Sequence, residues 1–96
     1  MKVLVNPKAI NAINNLVEYI TAEIQMPETG MKYGEKMIEF AFSLGEHYAA
    51  YKICNYKPWA YQNLKCAVFD KKIVFAFKIV NNQVVIYDIK HGKLLV

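Results

Sequence analysis

The chain has 96 residues, 55% of them hydrophobic and 14% aromatic, which is material for one small core and excludes a disordered segment. It carries 12 basic and 8 acidic residues for a net charge of +4, and every basic residue is lysine. A mild positive balance favours encounter with anions, yet the side chain best suited to bidentate phosphate recognition, arginine, is absent.

Cys54 and Cys66 form neither a C-x-x-C pair nor a Cys/His cluster, so no zinc site is expected. Two reduced thiols in a cytoplasmic protein are the expectation, with one disulfide arithmetically open. The apolar run Met1 to Val5 is too short for a signal peptide and is ended by Asn6-Pro7. No stretch approaches the ~20 apolar residues of a membrane span. The expected location is therefore the cytoplasm, without membrane contact.

Met1 to Val5 predicts a short strand. Asn6 and Pro7 then read as N-cap and first position of a helix. Ile10, Ile13, Val17, Ile20 and Ile24 recur at helical spacing and carry that helix to about residue 25. Met26 to Gly30 breaks the pattern. A second helix follows on Tyr33, Met37, Phe40, Ala41 and Leu44, with Gly45 as its expected stop. The pair predicts an antiparallel helical hairpin. Glu35 and Glu39 fall on its solvent side.

The period changes in the second half. Leu64 to Phe69, Ile73 to Val80 and Gln83 to Lys90 read as strands. Asn81-Asn82 suits a two-residue hairpin turn, because Asn tolerates positive φ, and Asp70-Lys71 is a second tight turn. Tyr48, Tyr51, Tyr56, Trp59 and Tyr61 mark an irregular aromatic stretch between the halves. The order β-α-α-β-β-β predicts one α+β domain over residues 1–96, its helical hairpin packed on one face of a small, mainly antiparallel sheet.

Two-residue turns fix a register. Val80 would pair with Gln83, Phe77 with Ile86, Val74 with Ile89 and Ala67 with Val74. Ile73, Phe75, Phe77, Ile79, Val84 and Ile86 would then face the helices, joined by Leu64, Cys66 and Val68. Asn63, Lys65, Lys78, Tyr87 and His91 would share an open face. A slip of one residue at Asp70-Lys71 would move Lys65 to the other side.

The run Leu64 to Phe69, then Ile73 to Ile79, then Val84 to Lys93, following a two-helix half opened by Pro7 and Ala9, resembles the RelE/ParE toxin superfamily of type II toxin–antitoxin systems. The resemblance implies a bacterial, cytoplasmic toxin-like component, of the kind tied to plasmid stabilisation. It would act on DNA gyrase or on ribosome-bound mRNA and be neutralised by a small acidic antitoxin. Neither cofactor nor metal is implied, and a homodimer stays open.

Of the nuclease residues the resemblance implies, Lys65 stands in place. Ala67, Val74 and Leu94 occupy positions where basic residues are expected, and a later tyrosine has no counterpart before Val96. His91 stands near a histidine position of some relatives, one residue out of register. A metal-independent endoribonuclease would rest on Lys65 and His91 as catalytic pair, since His titrates near neutral pH. Lys78, Lys90, Lys93 and Tyr87 are the candidates for RNA or target binding. Tyr51, Trp59 and Tyr61 would line a partner groove, with core packing the plain alternative for Tyr51 and Trp59. The competing function is a non-enzymatic interaction domain that keeps the fold.

Overall fold

The computed structural model describes residues 1–95, and the side chains of all of these except Ile24 and Leu94. The stripe position Ile24 and the Leu94 and Val96 positions of the resemblance thus lie outside the described side chains. The elements in order are β1 (Lys2–Val5), α1 (Pro7–Ile24), α2 (Pro27–His47), a short α3 (Lys57–Ala60), β2 (Lys65–Phe69), β3 (Ile73–Val80) and β4 (Gln83–His91). The strands form one sheet in the order β1-β4-β3-β2. β1 runs parallel to β4, and the other pairs are antiparallel. This is the α+β arrangement of a helical hairpin on a small sheet that the hydrophobic periods predict.

α1 starts as its sequence dictates. The Asn6 side chain accepts from Lys8 N at 2.9 Å, and Pro7 gives up no needed donor. It ends at Gln25, which adopts φ 57°. α2 begins at once on Pro27, so the connection is shorter than the expected break over Met26 to Gly30. Gly30 and Gly34 lie inside α2 because they face α1: a Cβ at Gly34 would sit 2.7 Å from Val17 Cγ2, and one at Gly30 would collide with Thr21 Oγ1. Glycine in a helix interior costs ~1 kcal/mol relative to alanine, and close approach of the two helices offsets that. Gly45 does not stop α2 either. It is buried against Met1, whose amino group donates to Gly45 O at 2.8 Å and satisfies a carbonyl left free at the helix end.

The hairpin covers one face of the sheet. Ala9, Ile13, Met37, Ala41 and Leu44 meet Ala67, Ile73, Phe75, Phe77, Val84, Ile86 and Ile89 in one buried cluster. Phe40 bridges the layers, its ring 5.1 Å from that of Phe75 and 5.4 Å from that of Phe69.

The register departs from expectation twice. The Asn81-Asn82 turn holds, with Val80 opposite Gln83 and Phe77 opposite Ile86. Beyond that pair a β-bulge inserts Tyr87, so Val74 faces Lys90 and not Ile89, and Ile73 faces His91. The cause lies at the neighbouring strand. β1 ends at Val5, Asn6 N donates its last bond to Ile86 O at 2.9 Å, and α1 leaves the sheet. The bulge rotates Ile89 toward the helices, where it is 3% exposed. His91 therefore turns to the helix side.

The second departure is at Asp70-Lys71. Phe69 pairs with Ile73, not Lys72, which makes Lys72 a third connecting residue. Its carbonyl is held by Gly92 N at 2.6 Å. Lys65, Ala67 and Phe69 thereby face the helices, while Leu64, Cys66 and Val68 do not. Ala67 fits beneath the hairpin at 0% exposure, whereas Val68 is left at 53%.

The expected open face is half covered. Cys54, Trp59 and Leu64, with Tyr56, pack on Val74, Ala76, Cys66 and Tyr87 as a second core. The cysteines are not free thiols: Cys54 and Cys66 are disulfide-bonded, with Cα atoms 5.0 Å apart. Five consecutive β3 residues, Ile73 to Phe77, are buried as a result.

Removing the Phe75 ring leaves a void in the centre of the larger core. Phe75→Ala is expected to cost ~3–5 kcal/mol, whereas Tyr61→Ala, at an exposed ring, stays within ~0.5 kcal/mol. Denaturant unfolding of the two variants measures the difference.

Candidate functional site

Lys65 and His91 share a face of the sheet, but it is the helix-covered one and they lie at opposite ends of it. Lys65 pairs with Phe77 on one side of β3, and His91 pairs with Ile73 on the other. Strand geometry puts their Cα atoms roughly 16 Å apart. Lys65 Nζ donates to Tyr48 O at 3.3 Å, and His91 Nδ1 accepts from Lys93 N at 3.2 Å. The two side chains do not form one catalytic centre.

The remaining sites of interest separate by face. Lys78, Tyr87 and Lys90 lie on the second face, but at two places along it: Lys78 is opposite Val85 and Lys90 opposite Val74, which puts the two lysine Cα atoms roughly 14 Å apart. Lys78 Nζ lies 5.6 Å from the centre of the Tyr87 ring. Lys90 Nζ lies 5.4 Å from the Tyr56 ring and 5.9 Å from the Trp59 ring. The bulge makes this arrangement, since without it Lys90 would turn to the helices. Each ammonium is held over π-electron density, which pays part of the cost of fixing a flexible side chain. The strip offers two positioned cations flanked by aromatic surface. Cations so placed suit phosphates or carboxylates, and the carboxylate beside Lys90 is that of the buried Asp88.

Lys93 is exposed in the short 3-10 turn after β4 (Gly92–Leu94), away from that strip. Tyr51, Trp59 and Tyr61 do not line a common groove. Tyr51 packs edge-on against Phe77, ring centres 6.0 Å apart, in the helix-side core. Trp59 is 4% exposed in the second core, and Tyr61 is 80% exposed.

His91 instead lines a cleft at the sheet end with Leu16, Tyr19, Ile20, Thr29, Tyr33 and Lys72, about 180 Å³ in volume. Tyr33 donates its hydroxyl to Asp70 at 2.9 Å there. Burial, and then the Asp70 carboxylate, push the Tyr33 phenol up to about 12.

A larger apolar groove of about 400 Å³ runs along β1, the edge strand, lined by Leu4, Ile10, Ile13, Ile38, Ala41 and Phe42 among others. Ile38 and Phe42 are 45% and 56% exposed. Both are apolar yet out of phase with the buried stripe Tyr33, Met37, Phe40, Ala41 and Leu44. That phase difference is the signal in the sequence for a second apolar helix face. No group of three or more His, Cys, Asp or Glu side chains suited to a metal occurs among the described residues.

Asp88 is the one buried charged residue among those described, at 5% exposure. Its Oδ1 accepts from Ile89 N at 2.9 Å, and its Oδ2 pairs with the Lys8 ammonium at 3.5 Å without a hydrogen bond. It sits at the bulge, opposite Ala76, and lines a cavity with Lys8 and Lys90.

No family model matches the chain, and no curated protein matches it in sequence.

Tyr33 supplies a direct check of the cleft. A raised folded value means the neutral phenol is favoured in the native state. The associated stability is present below pH 10 and is lost as pH rises through about 12. Tyr33→Phe should delete the phenolate absorbance step at about 12. Asp70→Asn should lower that step only in part, because burial is the larger cause.

Proposed function

We propose that this chain is a toxin-like component of a bacterial type II toxin–antitoxin system that acts by binding its target rather than by cutting RNA. The observation that carries this reading is the lysine strip of Lys78 and Lys90, held over the rings of Tyr87, Tyr56 and Trp59 on the face away from the helices. The resemblance to the RelE/ParE superfamily supports it through the β-α-α-β-β-β order. The distance between Lys65 and His91 weighs against the nuclease form, which needs a base, an acid and phosphate-directed charge within reach of one bond. DNA gyrase is the target this reading favours, with ribosome-bound mRNA as the alternative.

A small acidic antitoxin is the partner. The β1 edge beside the Leu4, Ile10, Ile38 and Phe42 groove suits an extended or helical apolar segment, and the +4 net charge attracts an acidic chain. The second reading, an interaction domain without toxin activity, is favoured by one observation: with no arginine in the chain, the strongest anion-binding side chain is missing.

Induced expression in a susceptible bacterium separates the readings. Growth arrest is expected, retained in the Lys65→Ala/His91→Ala double variant and lost in Lys78→Glu/Lys90→Glu. Unimpeded growth with soluble, folded parent protein means an interaction domain. Arrest that vanishes with Lys65 and His91 restores the nuclease.

A further inference from the structure

The aromatic segment 55–64 covers the second face of the sheet without being woven into it. Its backbone hydrogen bonds are local: Trp59 N and Ala60 N donate to Tyr56 O, Tyr61 N to Lys57 O, and Leu64 N to Trp59 O. Among the described residues, none of those from Asn55 to Asn63 reaches β2, β3 or β4. Attachment occurs at the base, where Cys54 N donates to Leu64 O at 2.9 Å, Cys66 N donates to Lys52 O at 3.0 Å, and Ile53 bridges Lys65. Elsewhere the segment is held by the buried Trp59 and Leu64, by Lys90 over its rings, and by the Cys54–Cys66 disulfide.

We propose that the Cys54–Cys66 disulfide is a redox clasp, whose reduction by a dithiol frees the aromatic flap 55–64 from the sheet. Of the two cysteines Cys66 is the more exposed, half-buried where Cys54 is 4% exposed, so attack is assigned to its side of the bond. A thiolate of the dithiol attacks Cys66 Sγ, and the protein S–S bond breaks. Cys54 leaves as a thiolate and takes up a proton. The second thiol of the reductant then attacks the mixed disulfide and releases Cys66 as a thiol. The protein gains two electrons and two protons, and the dithiol becomes a cyclic disulfide.

The consequence falls on the lysine strip. With the flap away, Lys90 loses Tyr56 and Trp59, and Val74, Ala76 and Tyr87 meet solvent. A fixed cation on aromatic ground becomes a mobile cation beside an exposed apolar strip. The clasp thus sets which of two surfaces this face presents. It stands on the geometry of the flap and does not depend on the toxin reading.

Native-state amide exchange of the oxidised protein, and of the same protein in dithiothreitol, tests this, with thiol titration alongside. Reduction should yield two titratable thiols and speed exchange at the local flap amides of Trp59 and Leu64 on the order of a hundredfold. The β3 amides of Phe75 and Phe77 should keep their protection. The Cys54→Ser/Cys66→Ser variant should match the reduced form, and the emission of Trp59, the single tryptophan, should shift to the red in both. Three results overturn the proposal: unchanged flap exchange after full reduction, β3 amides accelerating as much as the flap, or two free thiols persisting in an oxidising glutathione buffer.

Discussion

The structure depends on the double-sided burial of β3. Phe75 and Phe77 point to the helical hairpin and Val74 and Ala76 point the other way, and all four are at 9% exposure or less. A chain of this size cannot leave either side of such a strand in water, since each large side chain contributes ~1.5–3 kcal/mol on burial. The two helices cover one side. On the other, a segment of barely ten residues with one short helix must cover what it can, and it does so with the bulkiest side chain available, Trp59. The disulfide closes the base of that segment onto β2.

The same requirement shapes the charged surface. The bulge at Tyr87 sends Ile89 into the helix-side core and leaves Lys90 opposite Val74, over the rings of the flap. One inserted residue thereby moves a lysine onto the aromatic face and a histidine off it. Asp88, buried beside Lys8 at the start of α1, sits at the bulge where β1 turns away. The candidate binding strip is thus a by-product of how an edge of the sheet ends, and its cations are positioned over core rings.

Much of the fold was legible in the residues. The Asn6-Pro7 start, the two helical stripes and the positive-φ Asn81-Asn82 turn each state a local preference that the whole molecule satisfies. The end of β1 at Val5 was readable from Asn6-Pro7, but hydrophobic period alone could not see that β1 pairs with β4 there. The bulge answers to the end of that pairing, which lies some eighty residues earlier in the chain. Nor could it see that Lys72 would be drawn into the turn by Gly92. Both errors moved residues by one position and so exchanged their faces, which is why Lys65 and His91 left the expected open side. Two reduced thiols were the expectation, and the disulfide between Cys54 and Cys66 overturns it; the two are brought together by a backbone bridge between Ile53 and Lys65 that no local pattern announces.

Nuclear Overhauser contacts of the Ala76 methyl group test the account most directly, because that methyl sits at the centre of β3 on the side away from the helices. Double-sided burial predicts cross-peaks from Ala76 to the Trp59 indole, together with cross-peaks from the Phe75 ring to those of Phe40 and Phe69 on the opposite side. An Ala76 methyl that meets only water, or that shares contacts with Phe40, would contradict the double-sided burial and with it the register from which the lysine strip follows.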